Sequence, residues 1–92
     1  GGQVENVYRL QVFNATEAPQ RFNFVASGIE GLHVASEAAV EVPAAESIWV
    51  VVRLRVPFDA AAPGSHPVVL EFTATGGTPM HLREKTTFLM PR

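Results

Sequence analysis

Along most of the chain apolar and polar residues alternate with a period of two, the spacing that sends successive side chains to opposite faces of a strand. Residues 4 to 13, VENVYRLQVF, set Tyr8, Leu10 and Val12 on one face and Arg9 and Gln11 on the other. The alternation resumes in RFNFVAS, where Phe22 and Phe24 oppose Arg21 and Asn23, and Leu32 and Val34 carry a shorter third run. Residues 37 to 46, EAAVEVPAAE, hold enough alanine and glutamate for a helix. Val40 and Val42 nevertheless alternate about Glu41 and Pro43 halts the run, which favours a short edge strand. Further strands are expected over SIWVVVRLRV (47 to 56), over residues 68 to 75 with Val68, Leu70, Phe72 and Ala74 inward, and over the closing LREKTTFLMPR.

Turn chemistry separates these runs. Asn14 to Pro19 is one turn, Gly28 and Gly31 bracket a second, FDAAAPGSHP is a Pro/Gly-rich loop, and Gly76-Gly77 marks a hairpin or near-hairpin. Seven short strands at spacings of about 8 to 14 residues, with no helical crossover to join parallel strands, predict an all-β Greek-key sandwich of the fibronectin-like, disulfide-free kind. Its core is expected to gather Tyr8, Leu10, Val12, Phe22, Phe24, Val50, Val52, Leu54, Leu70, Phe72 and Phe88.

The most apolar stretch, 47 to 56, is too short to cross a bilayer, which takes about 20 residues, and it ends in Arg53, Arg55 and Pro57. Alternation turns Ile48, Val50, Val52, Leu54 and Val56 to the core. Trp49, Val51, Arg53 and Arg55 then face outward, an unusually apolar and cationic mixture for solvent. Either glutamates on neighbouring strands meet the arginines, or a partner or second copy covers the face.

Composition narrows the remaining choices. A chain of 92 residues with 47% apolar and 17% charged residues is one globular domain, spanning 1–92, that buries roughly 60 to 65% of its unfolded surface. A net charge of −2 with signs interspersed gives no basic stripe for nucleic acid. Cysteine is absent, which removes disulfides, thiolate metal sites and cysteine nucleophiles and leaves the compartment open. Gly1-Gly2 ahead of Gln3 reads as a cloning scar or linker, so the chain is expected to be a fragment of something longer.

The opening ENVYRLQVFNATEAPQRF, the middle ASEAAVEVPAAESIWVVVRLRVP followed by APGSHPV, and the closing REKTTFLMPR resemble the C-terminal domain of the FixG type of cytochrome c oxidase accessory protein. The likeness spans nearly the whole chain, and the two ends together are fairly specific. It implies an immunoglobulin-like sandwich on the periplasmic side of the bacterial inner membrane. The parent it implies is a polytopic membrane protein with ferredoxin-like iron-sulfur clusters upstream, named from nitrogen-fixation operons and linked to copper delivery during cbb3-type oxidase assembly. None of that family's cysteine motifs or membrane helices occurs here, so the resemblance carries over the fold and the address and no redox residue. Its implied partners are upstream domains of the same protein or oxidase assembly components, with a homodimer as a further possibility.

Candidate chemistry within the chain is sparse. His33, His66 and His81 with Met80 and Met90 are the plausible soft or borderline ligands, a set that suits copper. A site around Met80-His81 with help from Met90 or His66 competes with a plain reading in which Met90 fills the core and the histidines are solvated. Adjacent strand residues point to opposite faces, so Met80 and His81 could share a metal only from a turn. Ser47, Ser65 and His66 lack an elbow motif and an acid partner, and Glu37, Glu41 and Glu46 line an edge, so no catalytic residue is expected. Trp49 beside arginines could stack on sugar, as in carbohydrate-binding sandwiches. Asn14-Ala15-Thr16 matches the glycosylation sequon but also serves a turn. The sequence thus favours a non-catalytic interaction or structural module, with Trp49, Val51, Arg53 and Arg55 as its face, no cofactor of its own, and a Met/His copper site as the alternative.

Overall fold

The computed structural model describes residues 2–75 and 81–91. The described residues form β1 (Gln3–Phe13), β2 (Gln20–Ser27), β3 (His33–Val34), β4 (Ala39–Val42), β5 (Ser47–Pro57), β6 (Gly64–Thr75) and β7 (His81–Met90). The expected Gly76-Gly77 hairpin lies outside the described residues. Two antiparallel sheets result, one of order β1-β5-β3 and one of order β4-β2-β6-β7. Because β1 pairs with β5 and β2 with β6, the chain crosses between layers repeatedly, as a Greek-key sandwich requires.

The period-two pattern puts one face of each sheet inside. Val12, Phe22, Phe24, Val42, Val52, Leu54, Val56, Val68, Leu70, Phe72, Ala74, Phe88 and Met90 are buried. Phe24 and Phe72 sit opposite each other in the β2–β6 register, their rings edge to face with centroids 5.1 Å apart. Tyr8, Leu10 and Val50, expected in the core, are instead partly buried and pack against it. Leu10 and Val50 face each other at a level where the three-stranded sheet has already lost its third strand.

Two departures from the sequence pattern have local causes. β6 begins at Gly64 and runs through Pro67, where the composition reads as loop. The Pro67 carbonyl points toward Gly28, whose added Cβ would meet that oxygen at 2.9 Å, so the proline nitrogen faces the side where β2 has ended and no ladder donor is lost. The β4–β5 connection turns without glycine. Glu46 N–H donates to the Pro43 carbonyl at 3.3 Å while Ala45 adopts φ 58°, a left-handed conformation that type II turns usually assign to glycine or asparagine. Ala45 N–H is held by the Thr16 carbonyl at 3.0 Å.

The two sheets are stitched along one flank by side chains. Asn6 Nδ2 donates to the Leu89 carbonyl at 3.1 Å, and Leu89 N–H donates back to Asn6 Oδ1 at 2.9 Å. Tyr8 donates its hydroxyl to the Thr87 carbonyl at 2.9 Å. These contacts occupy part of the outer edge of β7, and the remainder of β7 carries Arg83 and Lys85, charges that discourage edge-to-edge pairing.

Candidate interaction face

The outward face of the three-stranded sheet is built by β1 and β5 in direct register: Glu5 opposite Arg55, Val7 opposite Arg53, Arg9 opposite Val51, Gln11 opposite Trp49 and Phe13 opposite Ser47. Trp49 is 70% exposed, Val51 43%, Val7 55% and Phe13 59%, so the apolar half of this face is not covered by the described residues. The register sets Val7 diagonal to Val51 and Phe13 diagonal to Trp49, at about 7 to 8 Å, within reach of long side chains. Four apolar groups thereby form two neighbouring pairs with Arg9 and Arg53 between and beside them.

The two outward arginines of β5 have different roles. Arg55 Nε lies 2.8 Å from Glu5 Oε1, directly across the ladder, which is the intramolecular cover expected of a neighbouring glutamate. Arg53 has no such partner: Val7 stands opposite it on β1, and no carboxylate among the described residues forms a salt bridge with Arg53 or with Arg9. Ser36 Oγ accepts the Arg53 backbone N–H at 3.0 Å, and the Arg53 carbonyl accepts from Ala35 N–H at 2.7 Å. Shallow clefts flank Trp49 on both sides, one lined by Arg9 and Val51 and the other reaching Ser36, Glu37 and Val40.

The copper candidates are dispersed. Met80 lies outside the described residues. Met90 is buried in the core at the end of β7, and His81 starts the same strand, roughly 30 Å away at the usual rise per residue. His66 pairs with Phe88 and is diagonal to Met90, but its Nε2 sits 2.6 Å from the Ala62 carbonyl. His81 Nε2 lies 2.7 Å from Glu71 Oε2, and His33 Nδ1 lies 3.0 Å from the Gly31 carbonyl. No group of three or more His, Cys, Asp or Glu residues among the described residues is arranged to hold a metal ion. Without cysteine, the chain also lacks the thiolates that would hold an iron-sulfur cluster.

Asn14 proves structural rather than accessible. It is fully buried, its amide nitrogen donates to the carbonyls of Ala18 at 2.8 Å, Val42 at 3.1 Å and Pro43 at 3.2 Å, and its Oδ1 accepts from Thr16 N–H at 2.9 Å and Thr16 Oγ1 at 2.7 Å. The sequon match is an Asx turn that ties the end of β1 to the β4–β5 connection. Sequence reasoning recognised the turn and missed the long-range tie, because its acceptors are backbone carbonyls about thirty residues away.

Over residues 1–91 the chain matches the family described as the IG-like fold at the C-terminal of FixG, itself a proposed oxidoreductase. The crystal structure of a FixG-related protein from Vibrio parahaemolyticus is similar at a TM-score of 0.84 and 20% identity, covering 95% of this chain and 79% of that one. An extracellular fragment of EsaA from Streptococcus gallolyticus is similar at a TM-score of 0.50 and 17% identity, covering 96% of this chain and 24% of that one. At these identities the two structures speak to fold alone. No curated protein matches the chain. The strand order, the cysteine-free core and the family match over nearly its full length agree: the chain belongs to the family of immunoglobulin-like C-terminal domains of FixG.

Proposed function

We propose that this domain is a non-catalytic docking module, held on the periplasmic side of the bacterial inner membrane by a FixG-type parent that carries iron-sulfur clusters and assists copper delivery and assembly of a cbb3-type oxidase. The observation that carries the docking role is the outward face of β1 and β5, where Trp49, Val51, Val7 and Phe13 are exposed beside two guanidinium groups without carboxylate partners. Aromatic, aliphatic and arginine side chains in one contiguous patch are the composition that interface cores favour. The module contributes contact and position to its parent; the electron transfer belongs to clusters elsewhere, for which this chain has no ligands.

Arg53→Glu combined with Trp49→Ala tests the reading in two ways. The expected result is a melting temperature lowered by no more than about 4 to 8 °C, since both side chains are outward and each surface change moves stability by about 0.5 kcal/mol or less. Recovery of the assembled complex from membranes should fall at least several-fold. A larger fall in the melt with undiminished assembly would make these side chains part of the fold and refute the docking role.

A further inference from the structure

We propose that the free edge of β5 at Trp49 and Val51 accepts an extended, acidic segment of a partner protein as an added strand. The inference rests on the docking-module reading and names the partner's chemistry and its mode of binding.

Backbone direction sets the site. Asn14 N–H donates to the Glu46 carbonyl and Phe58 N–H to the Gly2 carbonyl, so the even-numbered positions of the β5 strand direct their N–H and C=O groups toward β1. The odd positions point the other way, as Arg53 confirms by bonding to Ala35 and Ser36. Beyond Ser36 the chain leaves this sheet: Phe24 N–H donates to the Ala38 carbonyl, and Ala39 already pairs with Asn23 of β2. The ladder on that side of β5 therefore stops at Arg53. Among the described residues nothing pairs with the backbone N–H and C=O groups of Trp49 and Val51, which continue in the same direction.

The space beside that edge is a cleft of about 350 Å³ walled by Ser36, Glu37 and Val40 on one side and by Trp49, Val51 and Arg53 on the other. Sheet edges in natural proteins are commonly blunted by proline, lysine or a bulge. The segment Ile48 to Val52 has none of these and is a run of strong strand formers. On the other flank of the sandwich, Asn6 and Tyr8 cross to the edge of β7 and Arg83 and Lys85 guard its remainder. A guest strand laid along β5 completes the ladder through both backbone groups of Trp49 and of Val51, the mode of recognition known as β-augmentation. Its side chains alternate. One set faces the outer surface beside Trp49, Val51 and Arg53, where carboxylates reach Arg53 and, one strand further, Arg9; the other set faces the cleft beside Val50 and Val40, where aliphatic groups fit.

The test uses a capped heptapeptide of alternating Val and Asp, titrated into the 92-residue chain while amide hydrogen exchange is followed by nuclear magnetic resonance. The expected result is at least tenfold slower exchange at Trp49 and Val51, weakened several-fold by added salt. Val51→Pro, which removes an edge N–H, should lose at least tenfold in affinity. Arg53→Glu, which leaves the backbone intact should the proline variant not fold, should shift preference to the heptapeptide of alternating Val and Lys. No protection at Trp49 and Val51, or protection confined to β1, would overturn strand addition. Protection that rises with protein concentration in the absence of peptide would overturn it too, by assigning the edge to a second copy of the chain.

A membrane arm separates this proposal from the reading beneath it. Complex recovery is compared for the full-length parent, for a parent lacking this domain, and for a parent carrying Val51→Pro or Arg53→Glu. Assembly that survives removal of the domain refutes the docking module itself. Assembly lost with the domain but retained by both point variants refutes only the added strand, and loss in all three supports it.

Discussion

Asn14 shows how one polar side chain can organise an end of a sandwich. Its amide bridges carbonyls of Ala18, Val42 and Pro43 in a fully buried setting while its Oδ1 takes the Thr16 N–H, so removing it strips a donor from each carbonyl and leaves the Thr16 N–H without its acceptor, at a cost of about 1 to 3 kcal/mol for an unsatisfied buried group when no water replaces it. Asn14→Ala should therefore lower the stability measured by chemical denaturation by about 2 kcal/mol or more. Asn14→Asp should be worse at neutral pH, because a carboxylate would face those same carbonyl oxygens. Such a carboxyl would have its folded pKa raised above the unfolded value, so the part of its stability that needs the proton is fully present below the unfolded pKa and is lost as pH rises through the higher folded one. The deficit should accordingly be smallest below about pH 4 and widen as pH rises toward that folded value. A deficit independent of pH would show that the site admits water.

At the scale of the element, β5 separates stability from recognition by alternation alone. Leu54 is fully buried and its neighbour Arg55 is half-exposed, paired to Glu5 across the ladder. Leu54→Ala should cost about 2 to 5 kcal/mol, a large share of what holds so small a domain together. Arg55→Ala should cost no more than about 1 kcal/mol, since an exposed ion pair is screened by water and salt. Denaturant midpoints of the two variants give the comparison, and equal losses would mean that the face assignment of the strand is wrong. The sequence pattern made this division legible and offered neighbouring glutamates as one of two covers for the pair of arginines. That only Arg55 is so paired depended on register, because Glu5 stands opposite Arg55 while Val7 stands opposite Arg53.

For the whole molecule, the join between sheets depends on polar contacts as well as on the core. Tyr8 on β1 donates to the Thr87 carbonyl on β7, and burial pushes its phenol above the ordinary value of 10.0. A folded pKa raised above the unfolded one means that the Tyr8 contribution is fully present below pH 10.0 and is lost as pH rises through the higher folded value. Tyr8→Phe should cost about 1 kcal/mol near neutrality and flatten the fall in stability as pH rises above 10.0. Thermal melts across that range check it, and an alkaline limb as steep as the parent's would place the titration elsewhere.

Composition and period-two alternation determined by themselves that this chain is a cysteine-free, all-β sandwich, which residues of its long strands face inward, and that the outer face of β5 is both apolar and cationic. Those properties follow from the geometry of a single strand, where each side chain's direction depends only on its parity. Strand order, register and edges were decided only in the tertiary structure, since they depend on which distant segments meet. The sequence around Pro67 reads as loop, yet the strand continues there because β2 has already ended on that side. Asn14 reads as a turn residue or glycosylation site, yet it is buried against carbonyls of the β4–β5 connection. The open backbone at Trp49 and Val51 left no trace in the pattern, because it arises where the chain after Ser36 crosses from one sheet to the other.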